Sequence, residues 1–307
     1  VVNLSGSITK PILESAIDIN NITLADTINP LSFKIITNIT NNNTNLSGNI
    51  FEDEQKIAKL SAIIASRFSL SPFEYNIDKQ NSFTANITTI KNFDLLSMLP
   101  IPPGNELSGN IQGNLTASGN LDSPKLSGDL TITNGEYNYK QYGVLLKDIT
   151  AIISANGQKI SFNKIKANDR FNNPLTASGT ASLDQSKTFT LIAATDKFNL
   201  MNTPYLQGEV KGKLTINGDK DSATSKGNFI LGPLEIKIPE HFQQNIPELH
   251  ISEVIQANDE IIYTNDTPYK LKLDIALKTA EKVYVRGWGV DTQLKGDLHV
   301  TGYASAP

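Results

Sequence analysis

Hydrophobic and polar residues alternate along most of this chain. From Tyr269 to Leu277 every second residue is hydrophobic, whereas Lys270, Lys272 and Asp274 fall on the other face of an extended segment. The same alternation recurs over Leu234–Ile238 and Phe73–Ile77. A period of two residues is typical of a strand with one buried face, whereas a helix needs a period of 3.6. The pattern therefore predicts an all-β protein.

Turn signals between the extended runs predict how the strands are connected. The pairs Asn134–Gly135, Asn156–Gly157 and Asn217–Gly218 favour two-residue hairpin turns, because both residue types tolerate a positive φ. Hairpins join antiparallel neighbours, so we expect a mostly antiparallel sheet. A short helix is expected over 92–99, before Pro100, and the stretch 52–66 is interpreted as strand.

A motif of the form Leu-x-Gly-x followed by Ile, Leu or Val recurs along the chain. Its six copies begin at Leu4, Leu46, Leu107, Leu126, Leu206 and Leu294. The glycine lies on the apolar face of each predicted strand, although glycine within a strand costs roughly 0.5–1 kcal/mol relative to alanine. We infer that it allows a sharp bend towards that face or a close approach of another group.

Composition excludes several classes of function. The 307 residues contain no cysteine, which excludes disulfides, thiol catalysis and cysteine-based zinc sites. A formal net charge of -4 without a dense basic block argues against nucleic acid as a partner. The sequence contains no run of about 20 apolar residues that would predict a membrane-spanning helix. The chain opens Val1-Val2-Asn3 without methionine, so we expect it to be a piece of a longer protein.

The apolar face of such a sheet needs a covering. About 20 strands of 5 to 8 residues, spaced roughly 4.8 Å apart, would extend about 95 Å as a flat sheet, and open sheets seldom pass about 10 strands without curling. With almost no helices available, we expect the sheet to fold over on itself around an apolar groove. The same pattern also fits a dry, packed core.

The predicted groove lining consists of inward-facing apolar residues of the strands. The candidates are Leu115, Leu130, Ile132, Leu214, Ile216, Leu234, Ile236, Ile238, Leu271, Leu273, Ile275, Val283, Val285, Leu298 and Val300.

Three stretches carry a resemblance to a known family. Leu115–Gly135 repeats a unit of strand, Gly, Pro, Leu-x-Gly, strand and Asn-Gly, and Tyr142–Ile149 follows it. Val283–Gly302 contains a Val-Arg-Gly-x-Gly signature, in which Val290 stands where leucine is usual. In these features the chain resembles the C-terminal region of the TamB family, which is related to AsmA-like inter-membrane proteins. The signature residues are Arg286, Gly287, Gly289 and Gly296.

The resemblance implies a folded-over sheet called a β-taco, with residues 1–100 as an upstream segment continuous with a C-terminal-type domain over 101–307. It implies a periplasmic protein of a Gram-negative bacterium, anchored in the inner membrane by a segment outside this chain. It also implies phospholipid acyl chains as the ligand and an Omp85-type outer-membrane partner, similar to TamA, that docks on a further C-terminal region. Family members are implicated in phospholipid transport to the outer membrane and in outer-membrane protein assembly.

No chemical site is predicted. His241, His250 and His299 do not have the spacing of zinc ligands, and Glu52-Asp53-Glu54 is interpreted as a solvated turn because it lacks a calcium-loop pattern. Nucleophile, phosphate-loop and dinucleotide motifs are missing, and Gly287-Trp288-Gly289 is interpreted as a strand crease. We therefore expect no enzyme, cofactor or metal. The alternative to a lipid conduit is a structural or adhesive β-rich surface protein with a packed core.

Overall fold

The computed structural model describes residues 1–22, 30–90, 92–94, 96, 101, 104–239, 269–279 and 282–304, which form twenty strands and almost no helix. The strands are β1 Val2–Ser7, β2 Lys10–Ile22, β3 Leu31–Ile39, β4 Asn43–Glu52, β5 Gln55–Leu70, β6 Phe73–Ile77, β7 Phe83–Thr89, β8 Phe93–Asp94, β9 Asn105–Asn120, β10 Ser123–Tyr139, β11 Val144–Gly157, β12 Lys159–Asn168, β13 Pro174–Ser182, β14 Phe189–Asn202, β15 Leu206–Gly218, β16 Ser222–Lys237, β17 Lys270–Thr279, β18 Val283–Gly287, β19 Val290–Leu294 and β20 Asp297–Tyr303.

One long sheet contains these strands, and most of its pairs are antiparallel. From β1 to β5, then β7, then β9 to β16, each strand pairs antiparallel with the next in chain order. The short strands β6 and β8 pair with β5 and β9. The predicted all-β, mostly antiparallel fold is confirmed, and 55–66 of the stretch interpreted as strand lies in β5.

The sheet changes its pattern at β16, which pairs parallel with two strands at once. The first part of β16 pairs with β17 and its last part with β18. β20 then pairs antiparallel with β17, and β19 with β18. Thus β17 and β18 continue each other along β16, and β20 and β19 do the same one position further out.

Half of the stretch 92–99, where a helix is predicted, lies outside the described residues. Of that stretch, Phe93 and Asp94 form β8. Among the residues that the structure describes, no helix has the length and apolar character needed to cross a membrane. The division at residue 100 stays a prediction, and the pairing of β7 with β9 carries the sheet across it.

A crease crosses the sheet where successive strands are interrupted by β-bulges. The register shifts lie at 133–136 in β10, 147–152 in β11, 162–165 in β12, 195–198 in β14 and 208–210 in β15. Asn134, Asp148 and Lys164 adopt positive φ values of 51°, 52° and 50° at these positions. A bulge adds one residue to one strand and bends it, so the aligned bulges bend the sheet along one line.

The strands are longer than the 5 to 8 residues expected from sequence, because they continue through the crease; β10 has 17 residues. Several of the buried apolar residues lie at or beside it. They are Ile111, Ala151, Phe198, Val210 and Val283. In the first third of the sheet, Leu31, Ile57 and Ala58 form a buried cluster with Phe33 and Ile50 beside the register shift of β4 and β5.

One predicted turn is wrong. Asn134–Gly135 lies inside β10 at the crease, not between two strands. Hairpin turns and bulges both need a residue that tolerates positive φ, so the dipeptide alone does not distinguish them. Asn156–Gly157 and Asn217–Gly218 do end strands, directly before the turns from β11 to β12 and from β15 to β16.

Candidate functional site on the apolar face of the sheet

One face of the sheet carries an unbroken row of apolar residues across fourteen strands. Register pairing joins these residues laterally, one from each strand, and none of them has a polar side chain. The row consists of Ile17, Ile35, Gly48, Leu60, Ile87, Leu115, Gly128, Ala155, Ile160, Ala181, Phe189, Gly218, Ala223 and Leu271.

The adjacent residue of each strand belongs to a row on the opposite face, and every member of that row is polar or charged. It consists of Asp18, Lys34, Asn49, Lys59, Thr88, Asn114, Asp129, Ser154, Ser161, Thr180, Thr190, Asn217, Thr224 and Lys272. Because consecutive side chains of a strand point to opposite faces, the two rows define an apolar face and a polar face over most of the sheet.

A second row on the apolar face lies two residues further along the strands. It contains the predicted lining residues Leu130, Ile216 and Leu273. Its two polar members are held by the protein or buried: Thr89 donates to the Gly113 carbonyl oxygen at 3.2 Å, and Ser225 is buried. The apolar face therefore presents few groups able to hydrogen-bond a ligand.

Most of the other predicted lining residues also lie on the apolar face, whereas Ile238 follows the end of β16 at Lys237. Register pairs Ile275 with Val300 and Leu277 with Leu298, and it pairs Leu234 with Val283 and Ile236 with Val285. Their exposure varies widely: Val283 is 2% exposed, whereas Leu298, in the last strand of the sheet, is 61% exposed. The structure thus brings most of the set onto one surface without giving its members one environment.

A recess opens on the apolar face beside the crease. Its volume is about 260 Å³, and its lining is almost entirely apolar. It is lined by Val144, Leu146, Leu175, Ala193, Ala194, Thr195, Phe198, Leu200, Val210, Gly212, Leu214 and Phe229. Of these residues, Leu214 is the one predicted from sequence. The alternation Phe198-x-Leu200 in β14 and Val210-x-Gly212-x-Leu214 in β15 is the signal that would have identified several others.

A second apolar recess of about 240 Å³ lies on the same face in the first half of the sheet. Leu46, Leu60, Ile87 and Leu115 line it together with smaller residues of β5, β7 and β9. The face is therefore uneven, and its recesses lie where small side chains such as Ala62, Ala85 and Ala117 leave space between larger ones.

A buried polar cluster backs the crease beside the first recess. Asp169, in the turn from β12 to β13, is 0% exposed. Its carboxylate accepts hydrogen bonds from the backbone N–H groups of Phe171 (2.8 Å), Asn173 (2.9 Å) and Asn199 (2.6 Å), and from Asn173 Nδ2 (2.8 Å). Burial opposes ionisation, but these donors outweigh it and hold the pKa of Asp169 below its usual value.

The same turn joins two strands that are not neighbours in the sheet. β12 and β13 form a hairpin that is shorter than the flanking strands β11 and β14. Beyond the end of this hairpin, β11 and β14 lie close to each other. Arg170 Nη2 donates to the Gly143 carbonyl oxygen at 2.9 Å, and a Cβ at Gly143 would lie 2.2 Å from the Asn202 carbonyl oxygen. The cluster thus fixes the bend of β14 that directs Phe198 into the recess.

The family signature lies outside the groove lining. Arg286 is on the polar face, where it contacts Glu235 (3.0 Å) and Asp291 (3.2 Å) and so joins β16, β18 and β19. The hydrogen bonds to Asp291 and Glu235 raise its pKa. Gly287 ends β18, and Gly296 exchanges two hydrogen bonds with the Thr279 backbone and hydroxyl. These residues therefore connect strands.

The interpretation of Gly287-Trp288-Gly289 as a strand crease is wrong. Trp288 and Gly289 form the two-residue turn between β18 and β19, with φ values of 50° and 78°. Two consecutive positive φ values are the hairpin geometry that matches the twist of the flanking strands. Trp288 is 63% exposed there.

Two motif glycines lie where another group approaches closely. A Cβ at Gly109 would lie 2.8 Å from the Gly135 Cα, across the crease from β9 to β10. A Cβ at Gly208 would lie 2.3 Å from Leu234 Cδ1 on the apolar face. The interpretation of the motif as a place of close approach is confirmed at these copies, whereas nothing lies within 4 Å of a Cβ at Gly296.

The described residues contain no group of three or more His, Asp or Glu side chains placed to hold a metal ion. His299 Nε2 lies 2.8 Å from Asp274 Oδ1 on the polar face, and His241 and His250 are outside the described residues. Asp53 and Glu54 form the turn from β4 to β5, with φ values of 46° and 65°.

Residues 163–307 match the family model described as the TamB C-terminal domain. The comparison with curated proteins finds no match, and neither does the comparison with solved structures.

Proposed function

Because residues 163–307 match the family model described as the TamB C-terminal domain, we propose that the apolar face shields phospholipid acyl chains during transport from the inner to the outer membrane. The observation that carries this proposal is the apolar row across fourteen strands, which is wider than any single pocket would need. The same match supports a further role in outer-membrane protein assembly.

The chemistry of the face favours an alkyl chain over a peptide. A bound peptide would need hydrogen bonds for its backbone N–H and C=O groups, and an amide desolvated without a partner costs about 1–3 kcal/mol on protein mutational scales. The backbone groups of the sheet interior are already used in strand pairing. An acyl chain has no such groups and loses nothing in these surroundings.

Magnitudes explain why a continuous face suits transport. Each methylene removed from water gains about 0.8 kcal/mol, so a chain of about 16 carbons gains on the order of 12 kcal/mol. In a conduit without aqueous gaps, the acyl chain stays out of water between steps, so this free energy is not lost again. An apolar wall without polar anchors also lets the chain leave each position about as easily as it entered, with the headgroup outside the groove.

The family match supports the remaining parts of the proposal. The chain would act in the periplasm of a Gram-negative bacterium, as part of a protein anchored in the inner membrane. Its outer-membrane partner would be an Omp85-type protein similar to TamA, docked through a region beyond this chain. The proposed activity is transport and assembly without catalysis.

Lipid crosslinking with face-matched variants tests the proposal. Ile236 and Leu273 lie on the apolar face, and Lys237 and Lys272 are their neighbours on the polar face. With a photoactivatable phospholipid, we expect Ile236→Gln and Leu273→Gln to lower crosslinking and Lys237→Gln and Lys272→Gln to leave it unchanged. Native mass spectrometry of the purified protein should detect co-purified phospholipid.

Two outcomes would contradict the proposal. Crosslinking that is equal in all four variants, in protein that unfolds like the wild type, would show that lipid does not use the apolar face. A purified protein without lipid that also binds no fluorescent fatty acid would favour a structural or adhesive protein with a packed core.

A further inference from the structure

The recess beside the crease differs from the rest of the apolar face in the buried polar cluster that supports it. Residues of β11, β14 and β15 near the crease line the recess, and one of them, Phe198, is 2% exposed. The buried Asp169 carboxylate holds the Asn199 backbone N–H directly behind Phe198. The wall of the recess at Phe198 is therefore held in place by the polar cluster.

We propose that this recess receives the terminal methyl end of an acyl chain whose polar end lies at the opposite ends of the same strands, near Phe189. The proposal rests on the proposed function and adds an orientation to it. A polar headgroup would find almost no hydrogen-bonding partner in the recess and would lose its hydration there. A methyl end loses nothing by entering.

The opposite strand ends suit a polar group. Phe189 begins β14, and Gly218 beside it ends β15. The turns at that edge carry Asp184 and Lys187 before β14 and Asp219 and Lys220 after β15. A headgroup at this edge stays in water beside charged side chains, and the chain below it enters the apolar face.

The length of the arm agrees with this orientation. Six residues separate Phe189 from Thr195 at the crease, which corresponds to about 20 Å at roughly 3.3 Å per residue. With carbon–carbon bonds of about 1.5 Å, each methylene advances an extended chain by about 1.25 Å, so about 16 carbons span the same distance. An acyl chain of common length would thus reach from the strand ends to the recess.

Quenching of tryptophan by bromine measures the orientation directly. Trp288 is the one tryptophan of the chain, so W288F provides a background without tryptophan. Leu200 lines the recess and is 45% exposed, so L200W places a tryptophan there with little strain on the core. F189W places one at the other end of the arm, and L175W is a second recess position if L200W does not fold.

The probes are two fatty acids that carry bromine either near the terminal methyl or near the carboxyl group. We expect the methyl-end bromine to cause the greater loss of fluorescence at the recess tryptophan, and the carboxyl-end bromine to cause the greater loss at position 189. Quenching of both tryptophans with equal or reversed preference would overturn the orientation and leave the proposed function standing. Absence of quenching at both positions, in variants that unfold like the background protein, would overturn the orientation and the proposed function together.

Discussion

Replacing Asp169 with asparagine tests whether the buried cluster fixes the crease. The substitution keeps the shape of the side chain but turns one carboxylate oxygen into an NH₂ group. Oδ1 accepts hydrogen bonds from the backbone N–H groups of Phe171 and Asn173, and Oδ2 accepts them from the Asn199 backbone and the Asn173 side chain. In either orientation of the amide, its NH₂ group replaces one of these oxygens, so two N–H donors lose their acceptor. Each buried donor left without a partner costs about 1–3 kcal/mol, so the expected loss is about 2–6 kcal/mol.

Urea unfolding followed by circular dichroism measures this loss, and Asp184→Asn is its matched control. Asp184 also accepts backbone hydrogen bonds within a turn, from Ser186 (2.9 Å) and Lys187 (3.2 Å), but it is exposed to water. Water replaces the lost acceptor there, so the control should lose much less stability than Asp169→Asn. Equal losses in the two variants would refute the argument that burial makes Asp169 important.

The same residue predicts a dependence on pH. A carboxyl group whose pKa is lower in the folded protein stabilises it fully above the pKa of the unfolded chain, which is about 3.9 for aspartate. That stabilisation is lost as the pH falls below this value towards the folded pKa. The free energy of unfolding of the wild type should therefore fall more steeply than that of Asp169→Asn below about pH 4. Parallel curves would contradict the assignment.

Three further predictions concern the crease, the signature and the two faces. Gly143 and Gly157 have nearly equal φ values of 61° and 63°, but a Cβ would meet the Asn202 carbonyl oxygen at Gly143 and no atom within 4 Å at Gly157. In urea unfolding, Gly143→Ala should therefore lose clearly more stability than the roughly 1 kcal/mol expected for Gly157→Ala. Arg286→Gln should lower the free energy of unfolding only slightly at low salt and still less at high salt, since its ion pairs are exposed, and a loss that does not depend on salt would contradict this. Leu273→Asn should lower the melting temperature by several degrees while Lys272→Asn changes it little, because the two side chains lie on opposite faces; equal shifts would argue against that assignment.

Much of the fold follows from local sequence. The alternation around Leu271 and Leu273 is enough to place these residues on one face, because the pleat of a strand fixes the direction of each side chain. The pair Asn156–Gly157 ends a strand as its composition predicts, with a positive φ of 63° at Gly157. Resemblance to the family at Val283–Gly302 agrees with the match over residues 163–307.

The crease and the recess do not follow from local sequence. Asn134–Gly135 has the composition of a hairpin turn, and only the register of β10 against β9 and β11 makes it a bulge. The local sequence around Asp169 predicts only an ordinary polar turn. The burial of Asp169 depends on β14, where its partner Asn199 lies 30 residues further along the chain. The position of Phe198 in the wall of the recess likewise depends on strand pairing and not on its local sequence.

The amino-acid sequence thus determined which side chains face together, since that depends on the two-residue repeat of an extended backbone. The tertiary structure decided where the sheet bends and what the bend encloses. Those outcomes depend on the alignment of bulges between strands that pair across the sheet, and alignment is a property of partners rather than of any one segment.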